Sequence, residues 1–274
     1  MDIDLSIDID EVSIIIKDFI KTYVTNAGCK SVVIGLSGGV DSAVTALLCK
    51  DVLGRENTKC LFLPNETTPK SDSVHQELLV KKFDLSCRKK EITPITQQIS
   101  KFCVAEPDKL ALGNIKARTR MILLFEYANS TKSLVCGTSN KSEILIGYFT
   151  KYGDGGVDIQ PLGDLYKTQV LELARYLKIP KEIISKPPTA GLWIDQTDES
   201  ELGIQYDKLD LILYGLEQKM RVEDIVRTVN IEESEVKRIK RLRVLSQHKR
   251  RTPLIPKIGT RTPGLDWRVP VQEG

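Results

Sequence analysis

Two histidines, His75 and His248, are all the imidazole that 274 residues offer, and the six cysteines form no C-x-x-C pair. That scarcity argues against a zinc cluster. The cysteines stand at 29, 49, 60, 87, 103 and 136, several within apolar stretches such as Leu134-Val135-Cys136, where a reduced thiol acts as a small hydrophobe. Long apolar runs are missing too: Met121–Phe125 spans only five residues, against the roughly 20 that cross a bilayer. The start, Met1-Asp2-Ile3-Asp4, is acidic and lacks the basic-then-apolar layout of a signal peptide. The chain therefore reads as soluble and cytoplasmic, with no membrane partner. Charge of one sign is also lacking, since 40 Lys and Arg face 37 Asp and Glu; a net +3 gives no reason to expect nucleic acid. No repeat or low-complexity stretch occurs. With 41% hydrophobic residues over this length, a sizeable core is available and disorder of the whole chain is excluded.

The first 165 residues alternate short β-rich runs with helical patterns. Ile9–Thr25 places Val12, Ile15, Ile16, Phe19 and Ile20 on one helical face. Ser31–Leu36 is nearly continuously apolar, as a strand buried on both faces should be. The pattern then predicts a helix over Asp41–Leu53, a strand at Cys60–Leu63, a helix over Ser71–Phe83 and an edge strand over Cys87–Ile92. A long helix over Ala105–Ala128, with Ile115, Ile122, Leu123 and Phe125 as its apolar face, leads into a buried strand at Ser133–Cys136. Such alternation implies an α/β fold, an open and mostly parallel sheet with helices on both faces. From Pro187 onward the pattern is helical, over Ile204–Leu216, Val222–Val229 and Glu232–Gln247. In the last of these, Val236, Ile239, Leu242 and Val244-Leu245 form the apolar side, opposite a run of lysines and arginines. Pro253, Pro256, Pro263 and Pro270 argue against a further helix and suggest a strap or tail. We expect one domain over 1–274, with a nucleotide-binding core near 30–186 and a helical part from 187 to 274.

Directly after the first strand comes Gly35-Leu36-Ser37-Gly38-Gly39-Val40-Asp41-Ser42, and a helix follows. Adjacent glycines let the backbone turn tightly and present N–H groups to an anion. Asp41 or Ser42 is placed to cap the helix, whose positive end favours phosphate. Serine, glycine and aspartate are also ordinary turn residues, so the weight rests on the complete string at a strand-to-helix junction. No lysine follows the glycines, so this is not a Walker loop. Asp41 and Glu143 follow two different strands and can meet at the sheet's carboxyl edge, where hard oxygens suit Mg²⁺. Lys167 opens an amphipathic helix, and a lysine in a first turn, electrostatically out of place, points to a phosphate partner.

The S-G-G-x-D-S string resembles the pyrophosphate-binding loop of the N-type ATP pyrophosphatases, which split ATP between the α- and β-phosphates and adenylate a substrate. Further segments resemble the NAD synthetases of that group: Gly113-Asn114-Ile115-Lys116-Ala117-Arg118-Thr119-Arg120-Met121, Gly137–Glu143, Gly147–Asp158, Pro161–Gln169, Pro188–Trp193 with Gln196–Glu199, and His248-Lys249-Arg250. The resemblance implies a Rossmann-like sheet of the adenine nucleotide alpha hydrolase type. It implies ATP as co-substrate, bound by Gly35 to Ser42 (Gly35, Leu36, Ser37, Gly38, Gly39, Val40, Asp41 and Ser42) with Thr138, Lys167 and Thr189. It implies Mg²⁺ on Asp41 and Glu143, and deamido-NAD on Arg118, Lys151, Asp158, His248 and Lys249. The reaction implied is amidation of deamido-NAD by ammonia through an adenylated intermediate, with release of AMP and pyrophosphate, as the last step of NAD biosynthesis. Asp41 and Lys167 are the catalytic candidates, joined by Asp154 for the proton of ammonium. The glycine-rich stretch Tyr148–Asp158 reads as a lid that excludes water from a hydrolysable adenylate. Relatives of this kind form homodimers, with the long helix near 107–128 as a contributor. Only 34 residues precede Gly35 and 23 follow Arg251, so we expect no glutaminase domain and free ammonia as the nitrogen donor. RNA-modifying adenylating enzymes share the loop, but the paired cysteines common among the thiolases are lacking here.

Overall fold

A computed structural model describes residues 3–193 and 196–263. Pro270 and the rest of the segment after Pro263 lie outside the described residues. The chain opens with α1 (Ile9–Asn26), β1 (Ser31–Gly35), α2 (Val40–Leu53) and β2 (Thr58–Phe62). It continues through α3 (Lys70–Phe83), β3 (Ser86–Lys89), α4 (Thr93–Lys101), α5 (Lys109–Thr131) and β4 (Ser133–Cys136). Then come α6 (Lys141–Ile146), α7 (Lys167–Tyr176), α8 (Lys181–Ile184) and α9 (Asp198–Leu202). Last are α10 (Tyr206–Glu217), α11 (Val222–Val229) and α12 (Glu233–Leu245), with a 3₁₀ turn at Ser246–Lys249. No helix among the described residues is long and apolar enough to cross a membrane.

The four strands are parallel and lie in the order β3-β2-β1-β4. Alternation along β1 divides the core: Val32 and Ile34 face one layer with α1, α2 and α7, while Val33 faces the other with Ala128 of α5. The chain leaves β1 toward β2 on one side and returns to β4 on the other, so the switch point lies beyond Gly35. Ligands of open parallel sheets bind there. A third cluster, built on Leu209, Ile212, Ile225, Val236 and Ile239, joins α10, α11 and α12 and takes in Ile146 and Tyr166 from the α/β part.

The fold corrects several local expectations. The helix α4 is an element the sequence reading does not include: its Pro94 occupies the first turn, where the missing N–H costs nothing. Its apolar Ile95, Ile99 and Phe102 stand at helical spacing and point outward. Neither Asp41 nor Ser42 caps α2; Gly39 does, without a side chain, and both residues turn to other work. In α5 it is Lys116, Ala117 and Thr119 that are buried, while Ile122 is 56% exposed. Val244 and Leu245 likewise face solvent, because the chain tightens into the 3₁₀ turn right after them. The stretch Tyr148–Asp158 is a closely tied wall. Thr150 Oγ1 donates to Asn114 at 2.8 Å, Asp154 Oδ1 accepts from Thr150 N at 2.9 Å, and a Cβ on Gly153 would meet Ala117 at 3.0 Å.

Candidate active site

The Ser37–Ser42 loop is held in shape by Ser42. Its Oγ accepts from Ser37 N at 3.2 Å and donates to the Gly39 carbonyl at 3.0 Å. Gly38 takes φ +89°, and a Cβ there would sit 2.4 Å from the Asp72 carbonyl oxygen, so α3 presses directly on the loop. The first N–H groups of α2 have no partners within the helix and, with the dipole, face the switch-point cleft. That cleft has a volume of about 700 Å³.

On the far side of the switch point, β4 delivers Gly137, Thr138 and the capping box of α6, in which Asn140 accepts from Glu143 N at 3.1 Å. Asn140 also donates to Asp41 Oδ1 at 3.1 Å, linking the two loops. Between them lies the ammonium of Lys167, only 2% exposed, paired with Asp41 and 3.9 Å from Glu143 Oε1. Burial alone would discharge Lys167; Asp41 and Glu143 outweigh it and hold the ammonium above its ordinary range. Burial and the repulsion of Asp41 hold Glu143 well above the usual carboxylate range, against the pull of Lys167. Where the sequence points to a phosphate partner for Lys167, this arrangement gives it a carboxylate pair. The α7 N-terminus has its own counter-charge: Asp210, fully buried, accepts from Thr168 N at 2.9 Å and from Ser142 Oγ at 2.5 Å.

Two further groups carry weight that sequence reasoning did not give them. Asp198, which lies in the Gln196–Glu199 segment with no role of its own in the sequence reading, is 4% exposed, lines the cleft, and keeps one carboxylate oxygen unpaired. Burial pushes it up to about 6. Lys116 reaches Glu66 at 3.0 Å and the Leu192 carbonyl at 3.0 Å, and so ties the Pro187–Trp193 strap to α5.

Of the residues singled out from sequence, Gly35, Leu36, Ser37, Gly39, Val40, Asp41, Ser42, Arg118, Thr138, Glu143, Lys151, Asp154, Lys167, Thr189, His248 and Lys249 all line this one cleft. Gly38 shapes the loop from behind. Asp158 stands apart: its Oδ2 accepts from Val135 N at 2.7 Å, pinning the segment to the edge of β4, and it does not line the cleft. The cations form a chain at the distal end. Arg118 donates to the Lys151 carbonyl at 3.3 Å, Lys151 Nζ to the His248 carbonyl at 2.9 Å, and Lys249 Nζ to the Phe149 carbonyl at 2.8 Å. Asp154 faces them, enclosed by surrounding chain though still reached by solvent, and burial raises it above its ordinary value.

An anion-binding loop at the switch point of a parallel sheet, beside a buried lysine–carboxylate cluster, defines an α/β protein of the nucleotide-binding class. Comparison with known proteins narrows this. The NAD synthase family model matches residues 12–253, and the chain belongs to that family. It is 46% identical to the NH(3)-dependent NAD(+) synthetase of Sulfolobus acidocaldarius, over 92% of this chain and 91% of that protein. Among solved structures it is similar to the NH3-dependent NAD synthetase of Campylobacter jejuni, with 33% identity, a TM-score of 0.79, and 92% and 100% of the two chains covered. It is also similar to the NMN synthetase of Francisella tularensis, with 32% identity, a TM-score of 0.82 and the same coverage.

Proposed function

We propose that this chain amidates deamido-NAD with ammonia, using ATP, to give NAD⁺, AMP and pyrophosphate. The observation that carries this is the single cleft holding the phosphate loop, the Asp41–Lys167–Glu143 cluster and the distal cations together. A carboxylate does not accept ammonia directly, because oxide would have to leave. Attack of the nicotinate carboxylate on the α-phosphorus makes an acyl adenylate, from which AMP departs when ammonia adds. The chain's share is positioning and charge neutralisation. Loop N–H groups, Thr138 and Thr189 hold the nucleotide, and Lys167 supplies fixed positive charge beside it. Arg118, Lys151, His248 and Lys249 orient the dinucleotide, while Asp158 acts on it only through the wall it pins. Asp154, with its raised affinity for a proton, receives one from ammonium.

The donor set fits Mg²⁺. Asp41, Glu143 and Asp198 bring three carboxylates against one buried ammonium, an excess of negative charge that a divalent cation would offset. Mg²⁺ takes one or two protein carboxylates and completes its shell with phosphate oxygens and water. Asp41 and Glu143 would hold it, and bound there it would draw charge from the phosphates of ATP.

The working form we propose is a homodimer. Ile95, Ile99 and Phe102 of α4 and its C-terminal end expose an apolar face. Phe102 is 85% exposed, and such a patch marks an interface. We place the chain in the cytoplasm, where its six free cysteines stay reduced. The decisive assay measures AMP, pyrophosphate and NAD⁺ formed from ATP, Mg²⁺, ammonium and deamido-NAD, with nicotinate mononucleotide as the rival substrate. Preference for the mononucleotide would align the chain with the Francisella protein and refute the dinucleotide assignment.

A further inference from the structure

Lys186 immediately precedes the strap and belongs to none of the motifs that point to chemistry. Its ammonium pairs with Asp72 in the first turn of α3, the two side chains being 17% and 10% exposed. Both line the cleft. Asp72 is also the residue whose backbone lies against the phosphate loop, 2.4 Å from where a Gly38 Cβ would stand. The pair therefore flanks the loop from the α3 side. The two lysines differ in kind. Lys167 sits in a helix, fully enclosed and fixed between two carboxylates. Lys186 lies outside any helix or strand, on a flexible stem with three rotatable donors, paired with Asp72 and within the field of Asp198. Burial draws its ammonium below the ordinary value, so its present setting solvates it poorly.

We infer that Lys186 is the mobile cation for the departing pyrophosphate. It rests on Asp72 when the loop is free and moves to the β- and γ-phosphate oxygens when ATP is bound. As the bond between the α-phosphorus and the bridging oxygen breaks, its electron pair stays on the β-phosphate oxygen. Lys186 offsets that charge with donated hydrogen bonds and transfers no proton. Asp72 is the competing counter-ion that takes the lysine back and lets pyrophosphate leave. This rests on the ATP reading of the loop.

The rival account makes the pair a latch that merely holds the strap to α3, and the two accounts differ in sign. Pyrophosphate binding to the full chain is measured calorimetrically with Mg²⁺, alongside product inhibition by pyrophosphate. Lys186→Gln should weaken pyrophosphate binding about ten-fold or more, the cost of a lost charged hydrogen bond, and Lys186→Arg should restore most of it. Asp72→Asn should tighten pyrophosphate binding several-fold and deepen product inhibition, because the competitor is gone. A latch predicts that Asp72→Asn and Lys186→Gln both weaken binding; that result, or no change in either, overturns the assignment. If Lys186→Gln does not fold, the opposite pull of Asp72→Asn still decides. A wild-type chain that binds no pyrophosphate would instead overturn the nucleotide reading itself.

Discussion

Replacing Lys167 with methionine keeps the length of the side chain and deletes the only cation held between Asp41 and Glu143. The ammonium is 2% exposed and its partners are 18% and 15% exposed, so water can do little to compensate. Breaking a buried pair from one side costs about 3–5 kcal/mol, which at this chain length is a fall of roughly 5–15 °C in the unfolding midpoint. The pH dependence carries more information than the size. Glu143 is already raised in the folded state, so the native chain holds that proton more tightly than the unfolded one. Its ionisation therefore costs stability as pH rises from the ordinary carboxylate range through its folded value. Without Lys167 the folded value climbs further. The deficit of Lys167→Met should be largest near pH 8 and shrink toward pH 5, where protonated carboxylates no longer repel. In the parent chain, Lys167 is raised above its ordinary value. The stability it contributes is complete below that ordinary value and lost only as pH rises through the folded one. Added Mg²⁺ should raise the midpoint of the variant more than that of the parent, since the carboxylates have no other cation. Denaturant unfolding of both chains at pH 5, 6, 7 and 8, with and without Mg²⁺, reads all of this. A deficit that stays constant with pH, or none at all, would refute the view of Lys167 as the counter-charge of a buried carboxylate pair.

Asp41→Asn should abolish pyrophosphate release at ordinary Mg²⁺; it also removes the main partner of the buried Lys167 ammonium, so release is assayed well below the variant's own unfolding midpoint. Turnover at the parental rate would remove Asp41 from the metal assignment. With ammonia omitted, labelled pyrophosphate should exchange into ATP only when deamido-NAD is present; exchange without it would mean that a different substrate is adenylated. Ammonium should support NAD⁺ synthesis, rising toward alkaline pH as free ammonia increases. Synthesis from ammonia-free glutamine by the purified chain would contradict the nitrogen source. Gly38→Ala should cost at least about 1 kcal/mol from its left-handed backbone alone and more from the 2.4 Å approach to Asp72, with loss of nucleotide binding in a shift assay. Normal ATP affinity in that variant would show that the loop tolerates displacement.

The sequence determined whatever is local. Val32–Ile34 is an unbroken apolar run, the loop after it carries its own turn chemistry, and the α7 stripe is periodic, so these elements were legible from neighbours a few residues apart. Chain ends of elements were less so, because caps such as Gly39 and Asp108 compete with equally good residues beside them. The helix α4 does carry helical spacing in Ile95, Ile99 and Phe102, but that pattern says nothing of which way the face turns, and tertiary packing leaves it outward. What tertiary structure alone decided is the company each charged group keeps. Asp41 and Lys167 are 126 residues apart, and nothing in their local patterns says that they will pair. Parallel pairing of β1 with β4 brings the two loops to one edge, Asp210 frees the start of α7 from needing a local acid, and Asp198 arrives from the helical part. The same enclosure raises Glu143 and Asp198, because desolvation depends on what surrounds a group in space and sequence distance does not enter it.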